Sequence, residues 1–171
     1  MSAPGRPDVG PRVAADDVRR LLRRHATTVT VVTALCAGRP VGFTATSFTS
    51  VSLRPPLFSF CQDRGSSSWP AVTAAPHVAV HLLGADQADL ARVFATRGAD
   101  RFAPTGWRPG PFGLPVLDGV LAWLVGRVTH RIAAGDHTIV LAEPVAADCG
   151  DGSPLLYHDG RYTGLSSRRD P

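Results

Sequence analysis

Residues 1–13 carry no hydrophobic period and are broken by Pro4, Gly5, Pro7, Gly10 and Pro11, which predicts a flexible N-terminal tail. Val18, Leu21 and Leu22 then fall at i, i+3 and i+4, with arginines on the other faces and Asp16 and Asp17 in front. That spacing predicts an amphipathic helix whose acidic start and basic end suit its dipole. From Thr28 the residues turn β-branched, Thr28-Val-Thr-Val-Val-Thr33, a strand signal. Ala37-Gly38-Arg39-Pro40 reads as a turn, residues 41–46 as a second strand, and residues 57–61, behind Pro55-Pro56, as a third. Residues 66–75 suit a short helix, residues 77–83 alternate as a strand, and residues 85–97 place Leu90, Val93 and Phe94 at helical spacing. Residues 98–115 form a long loop rich in Gly, Pro and aromatics, of the kind that is usually functional or interfacial. Residues 121–132 and 137–147 are two long strands joined at Ala134-Gly135-Asp136. A last hairpin pairs residues 155–158 with 161–165 through Asp159-Gly160, and 166–171 is a second tail. Strands follow one another across turns, with few helices and no βαβ alternation. The fold class expected is mainly β with flanking helices: an antiparallel, Greek-key-like barrel.

Composition narrows this picture. A chain of 171 residues fits one domain, here 14–165, and 44% hydrophobic with 19% charged residues is ordinary globular usage. No apolar run approaches the ~18–20 residues of a membrane span, and the first eleven residues lack the apolar core of a secretory signal. Cys36, Cys61 and Cys149 are odd in number and dispersed, so neither a disulfide framework nor a CxxC metal site is expected. Cys36 and Cys61 read as small core residues, and a reducing compartment, the cytoplasm, follows. The net charge is +4 and every basic residue is arginine. Arg19, Arg20, Arg23 and Arg24 read as one solvated helix face. Without a recognisable module the spread of arginines argues no nucleic-acid partner.

Three stretches hold candidate chemistry. Gly42-Phe-Thr-Ala-Thr-Ser-Phe-Thr-Ser50 leaves a strand carrying five hydroxyls in seven residues. It is either a Ser/Thr-rich turn or a wall that lets a phosphate or polyol approach the backbone. Asp63-Arg-Gly-Ser-Ser-Ser68 supplies either helix caps or a phosphate site. Gly135-Asp-His137 is either a surface hairpin or a turn that projects a histidine from the barrel rim. His77 and His81 share one strand face, which is not zinc-ligand spacing.

Taken in order, Ala26-Thr-Thr-Val-Thr-Val-Val-Thr33, Gly42-Phe-Thr-Ala-Thr-Ser-Phe48 and Val51-Ser-Leu-Arg-Pro-Pro56 resemble the short-chain flavin reductase family. That family is the reductase component of two-component flavin-dependent monooxygenases. Ala85-Asp-Gln87, Arg101-Phe102, Gly113-Leu-Pro-Val-Leu117, Gly135-Asp-His137, Pro154-Leu-Leu-Tyr157 and Gly160-Arg-Tyr162 extend the likeness across residues 18–165. Departures fall at Thr28, Arg54 and Ala142.

The resemblance implies an FMN-binding split barrel, a homodimer with the flavin at the subunit interface, and NADH or NADPH as reductant. It implies that Phe43, Thr44, Thr46 and Ser47 line the ring and ribityl side of FMN, or of FAD. Cys61, Gln62 and Asp63 lead toward the flavin, Ser67 and Ser68 hold its phosphate, and Phe94 closes the pocket. His137 faces the nicotinamide as the catalytic residue, with Tyr162 nearby. The expected activity is hydride transfer from NAD(P)H to flavin, with reduced flavin passing to a partner monooxygenase. A split barrel with oxygen- or deazaflavin-using chemistry, or a non-enzymatic flavin-binding module, is the alternative. The loop over 102–117, with Trp107 and Phe112, is the surface expected to meet the second subunit.

Overall fold

The computed structural model describes residues 13–165; the segments expected to be tails, 1–12 and 166–171, lie outside the described residues. Helix α1 (Ala15–Leu22) forms where the apolar spacing requires it, but it buries none of its residues. Its Asp16–Arg19 and Asp17–Arg20 pairs are solvent-exposed and add only about 0.3–0.5 kcal/mol each.

Seven strands make the main sheet: β2 (Thr30–Cys36), β3 (Arg39–Ala45), β4 (Thr49–Leu53), β5 (Pro56–Asp63), β6 (His77–Leu82), β9 (Ala122–Ala134) and β10 (His137–Cys149). Their order is β3-β2-β6-β9-β10-β5-β4, with every neighbour antiparallel. The β-branched run of β2 is buried on both faces because β2 lies between two layers. Val32 and Ala34 face the barrel interior with Phe43, Phe58, Phe60, Val80 and Val140. Val29 and Val31 face outward, against Leu83, Leu117, Leu155 and helix α3 (Ala88–Ala95). Each such fully buried Val or Phe contributes about 1.5–3 kcal/mol. The buried hydroxyls are matched: Thr30 donates to the carbonyl of Ala45 at 2.8 Å and Thr33 to that of Pro115 at 2.7 Å.

Three elements differ from the sequence reading. The run after β3 is a strand, β4, paired back onto β5; its burial pattern is exposed, so hydrophobic alternation could not reveal it. The long loop contains a small hairpin, β7 (Trp107–Pro109) and β8 (Pro115–Leu117). Leu114, Val116 and Leu117 are buried within the chain, and Phe102 packs edge-on to Phe94 and Trp107, so most of this loop is already covered. Only Phe112 stands largely free, stacked on His77 at 3.9 Å. Cys36 is exposed at the end of β2, where the strand leaves the core, rather than packed inside.

Helix α2 (Trp69–Ala74) follows β5, and β1 (Thr27–Thr28) joins the terminal hairpin of β11 (Leu156–His158) and β12 (Arg161–Thr163). Among the described residues no helix is long and apolar enough to cross a membrane.

Candidate functional site

The sheet curls until β3 approaches β5, yet these two strands share no ladder. One side chain bridges the seam. Ser47, just past β3, accepts the N–H of Cys61 at 2.9 Å and donates to the carbonyl of Cys61 at 3.3 Å. A pocket of about 360 Å³ with mixed polar and apolar walls opens beside this seam, lined by Phe43, Ala45, Thr46, Cys61, Ser66, Ser67, Arg97 and His137 among others. That volume lies within the ~300–1,000 Å³ usual for small-molecule sites.

Strand β3 supplies the apolar wall and helix α3 the floor. Phe94 of α3 is fully buried and lies against Gly42 of β3. A Cβ at Gly42 would sit 2.9 Å from the Phe94 ring and 2.9 Å from the carbonyl of Val32, so only glycine allows the approach. Phe94 thus closes the pocket from below, as its floor. Thr44 donates to the carbonyl of Ala91 at 2.6 Å and so fastens β3 to α3. The hydroxyls of Thr44 and Ser47 are thus bonded to protein, and Thr46 is exposed in the pocket wall. Arg101 latches the following loop, donating to the carbonyls of Gly42 at 2.5 Å and Thr96 at 2.9 Å.

The opposite wall comes from the end of β5 and the turn after it. The Asp63 carboxylate accepts the N–H of Gly65 at 2.7 Å, folding the segment back, and Arg97 stands 3.7 Å from its other oxygen. Ser66 and Ser67 face the pocket. Ser68 is buried, its hydroxyl 2.9 Å from that of Ser66, and it makes no capping bond although it precedes α2. It borders an adjoining hollow of about 260 Å³ that shares Ser67 with the main pocket.

Strand β10 brings the third wall. His137 pairs with Asp63 across the ladder, and its Nδ1 lies 2.7 Å from the Asp136 carboxylate. That hydrogen bond, and the attraction of the imidazole, hold the Asp136 carboxyl below its usual range. Arg64 ties the two turns together: its N–H donates to the carbonyl of Asp136 at 3.1 Å and its guanidinium to that of Gly135. With Nδ1 engaged by Asp136, Nε2 is the remaining polar atom of the ring.

The fold thus brings Phe43, Thr44, Thr46, Ser47, Cys61, Asp63, Ser67, Phe94 and His137 to one pocket. Three of the expected residues do not line it: Ser68 borders only the adjoining hollow, and Gln62 and Tyr162 lie elsewhere. Gln62 is on the other face of β5, 1% exposed, with neither amide atom hydrogen-bonded. Alternation along the strand turns it inward between Cys61 and Asp63. Tyr162 lies outside the pocket, 5.4 Å from the Tyr157 ring, with Arg92 5.4 Å above its own ring. Burial chiefly, and Tyr157 next, raise the Tyr162 phenol above its ordinary value, and Arg92 opposes them. Ser66 and Arg97 line the pocket without having been expected there. Ser66 belonged to a recognised serine run, whereas nothing in the sequence separates Arg97 from the other arginines. Cys61 is half-buried at the pocket rather than packed in the core.

The likenesses of the chain match this geometry. Residues 22–166 match the flavin reductase like domain. An NADH:FMN oxidoreductase of Rhodococcus qingshengii is 46% identical over 162 residues, 91% of this chain and 84% of that protein. The reductase subunit of a flavin-dependent monooxygenase from Mycobacterium tuberculosis is 35% identical over 157 residues, 88% of this chain and 82% of its own. The solved structure of an NADH:FAD oxidoreductase from Streptomyces globisporus, in complex with NAD and FAD fragments, superposes with a TM-score of 0.86 at 35% identity. It covers 94% of this chain and 99% of that one. The match runs through every strand that builds the pocket, and so the chain belongs to the flavin reductase like domain family.

Proposed function

We propose that the chain is an NADH-dependent flavin reductase that binds FMN at the seam of its barrel and releases the reduced flavin to a partner monooxygenase. One observation carries this reading: an apolar wall, a group of neutral hydroxyls and a histidine meet around one pocket of about 360 Å³. The residues present fit a flavin. Phe43 and Ala45 offer the apolar wall for a flat ring, Thr46 a hydroxyl for the ribityl chain, and Ser66, Ser67 and Arg97 donors for the phosphate. When bound, the flavin accepts the hydride that the nicotinamide supplies, and the protein contributes orientation and electrostatics.

The chain's own part is positional. The Ser47 bridge and the Gly42–Phe94 contact fix the seam, and the Asp136–His137 hydrogen bond fixes the imidazole at the mouth of the pocket. Holding two reactants in line makes their reaction effectively unimolecular, worth up to ~7–11 kcal/mol. Two hydroxyls and a single guanidinium grip a phosphate less firmly than a cluster of cations, which suits a flavin that must leave. FMN and NADH are the ligands of the Rhodococcus relative, and a flavin-dependent monooxygenase is the assembly to which the Mycobacterium relative belongs. The cytoplasm, where NADH is regenerated, is the compartment that goes with this reading.

A homodimer belongs to the same reading. Val51 and Leu53 on the edge strand β4, Ile132 on β9 and Val145 on β10 are large apolar side chains left exposed, and a second copy would cover them. The deciding assay is NADH oxidation with FMN, FAD and riboflavin in turn. Flavin-dependent turnover with FMN is expected. No turnover with any of the three would overturn the reading.

A further inference from the structure

Among the described residues that line the flavin pocket, Asp63 is the one carboxylate and Arg97 the one guanidinium. They come from different elements, Asp63 from the end of β5 and Arg97 from the residue after the C-cap of α3. One Asp63 oxygen accepts the Gly65 N–H at 2.7 Å; the other stands 3.7 Å from the Arg97 guanidinium, too far for a hydrogen bond. The Arg97 side chain is 82% exposed and that of Asp63 43%, so the pair is weak and its arginine can exchange partners. Ser66 and Ser67 follow in the same turn, which the Ser66 N–H closes by donating to the Asp63 carbonyl at 3.1 Å. Arg64 stays out of this balance, since its guanidinium donates to the carbonyl of Gly135.

The fold accounts for the shape of Asp63 but not for its charge. An oxygen acceptor two residues ahead of Gly65 is all that the turn requires, and an asparagine amide serves that role as well. The carboxylate nevertheless stands among the donors assigned to the flavin phosphate and beside the one guanidinium they include. An incoming phosphate must draw Arg97 away from Asp63 and then lie near a like charge. Resting on the reductase reading, we propose that Asp63 is an affinity-lowering residue: its carboxylate competes with the flavin phosphate for Arg97 and so sets how readily the flavin leaves. A reductase that surrenders its product to a second protein gains from such a counter-charge, which loosens the phosphate end of the flavin and leaves the ring end untouched.

D63N keeps the acceptor for Gly65 and removes the charge. At low ionic strength FMN should bind D63N about three- to tenfold more tightly than wild type, the scale of one half-exposed charge acting on a doubly charged phosphate. The gain should shrink with added salt, and FMN dissociation, followed by stopped flow, should slow. Riboflavin has no phosphate and should bind both proteins alike. In an R97Q background the D63N gain should shrink, because the contested partner is gone. Inorganic phosphate should raise the melting temperature of D63N more than that of wild type, which reads the same competition without flavin or turnover. FMN affinity unchanged or weakened in D63N would overturn the proposal. So would an equal change for riboflavin, which would make Asp63 a contact of the ring, or a gain undiminished in R97Q. Should no flavin bind, the reductase reading fails by itself, and equal phosphate stabilisation of both proteins would then overturn the role of Asp63.

Discussion

Protonation of one buried histidine should dominate the acid sensitivity of the fold. His81 of β6 is fully buried. Its Nδ1 lies 3.0 Å from the carbonyl of Val31, so Nδ1 carries the proton, and Nε2 has no hydrogen-bond partner. The strand registers place Val31 of β2 on one side and Trp123 of β9 on the other. The carbonyl of Pro115, the next acceptor at hand, is already taken by Thr33 at 2.7 Å. Burial therefore pushes the imidazole pKa down from 6.5 to about 4, against the opposing pull of the Val31 and Pro115 carbonyls. The unfolded chain binds a proton near pH 6.5 and the folded chain only near pH 4, so stability is complete above pH 6.5 and drains away as the pH falls to 4. The difference of 6.5 and 4 corresponds to about 3 kcal/mol over the whole window. At pH 4.5 most of this, about 2.5 kcal/mol, should already be lost relative to pH 7.5. H81N removes the titration and keeps a donor near the Val31 carbonyl. Urea unfolding of both proteins between pH 7.5 and 4.5 isolates the contribution, because carboxylates elsewhere titrate alike in each. Wild type should lose about 2.5 kcal/mol more than H81N across this range. Equal losses would refute the argument.

Other outcomes follow from the same geometry. H137A should lower kcat/KM for NADH by ~10- to 100-fold while FMN affinity stays nearly constant, since positioning is lost and the flavin wall is not; stopped-flow reduction and FMN titration check both parts. S66A/S67A should raise the FMN dissociation constant by at least about tenfold and up to ~100-fold or more, two net hydrogen bonds to a charged group being worth roughly 1.5–3 kcal/mol each when fully formed. Riboflavin, having no phosphate, should be nearly indifferent, and equal losses for the two flavins would show that these serines only shape the turn. G126A forces a Cβ to within 2.4 Å of the Phe58 ring and 2.9 Å of the Ala142 side chain. Overpacking of this kind costs about 1–3 kcal/mol, so thermal unfolding should shift down by several degrees; an unchanged melting temperature would mean that Phe58 has room to move.

Much of the fold is local and so was legible in the chain. The β-branched run of β2, the helical spacing of Leu90, Val93 and Phe94, and the Gly135-Asp136 and Asp159-Gly160 turns each state their structure within a few residues. The order of motifs carried the family and, with it, most of the pocket. Strand β4 was hidden because it is exposed and half hydroxyl, and the β7–β8 hairpin because its prolines and glycines read as loop.

What the tertiary structure alone decided concerns direction and meeting. Gln62 stands in the same short run as Cys61 and Asp63, but strand alternation turns it to the opposite face. Thr44 and Ser47 looked like free donors until α3 and β5 arrived to take them, through Ala91 and Cys61. Arg97 is one of 18 arginines in the sequence; only the closure of the barrel sets it beside the serines. Sequence fixes which groups a strand or turn can offer, since propensity and period act over a few residues. Which groups remain available to a ligand depends on contacts between residues far apart in the chain, and those exist only once the sheet has curled and its seam has closed.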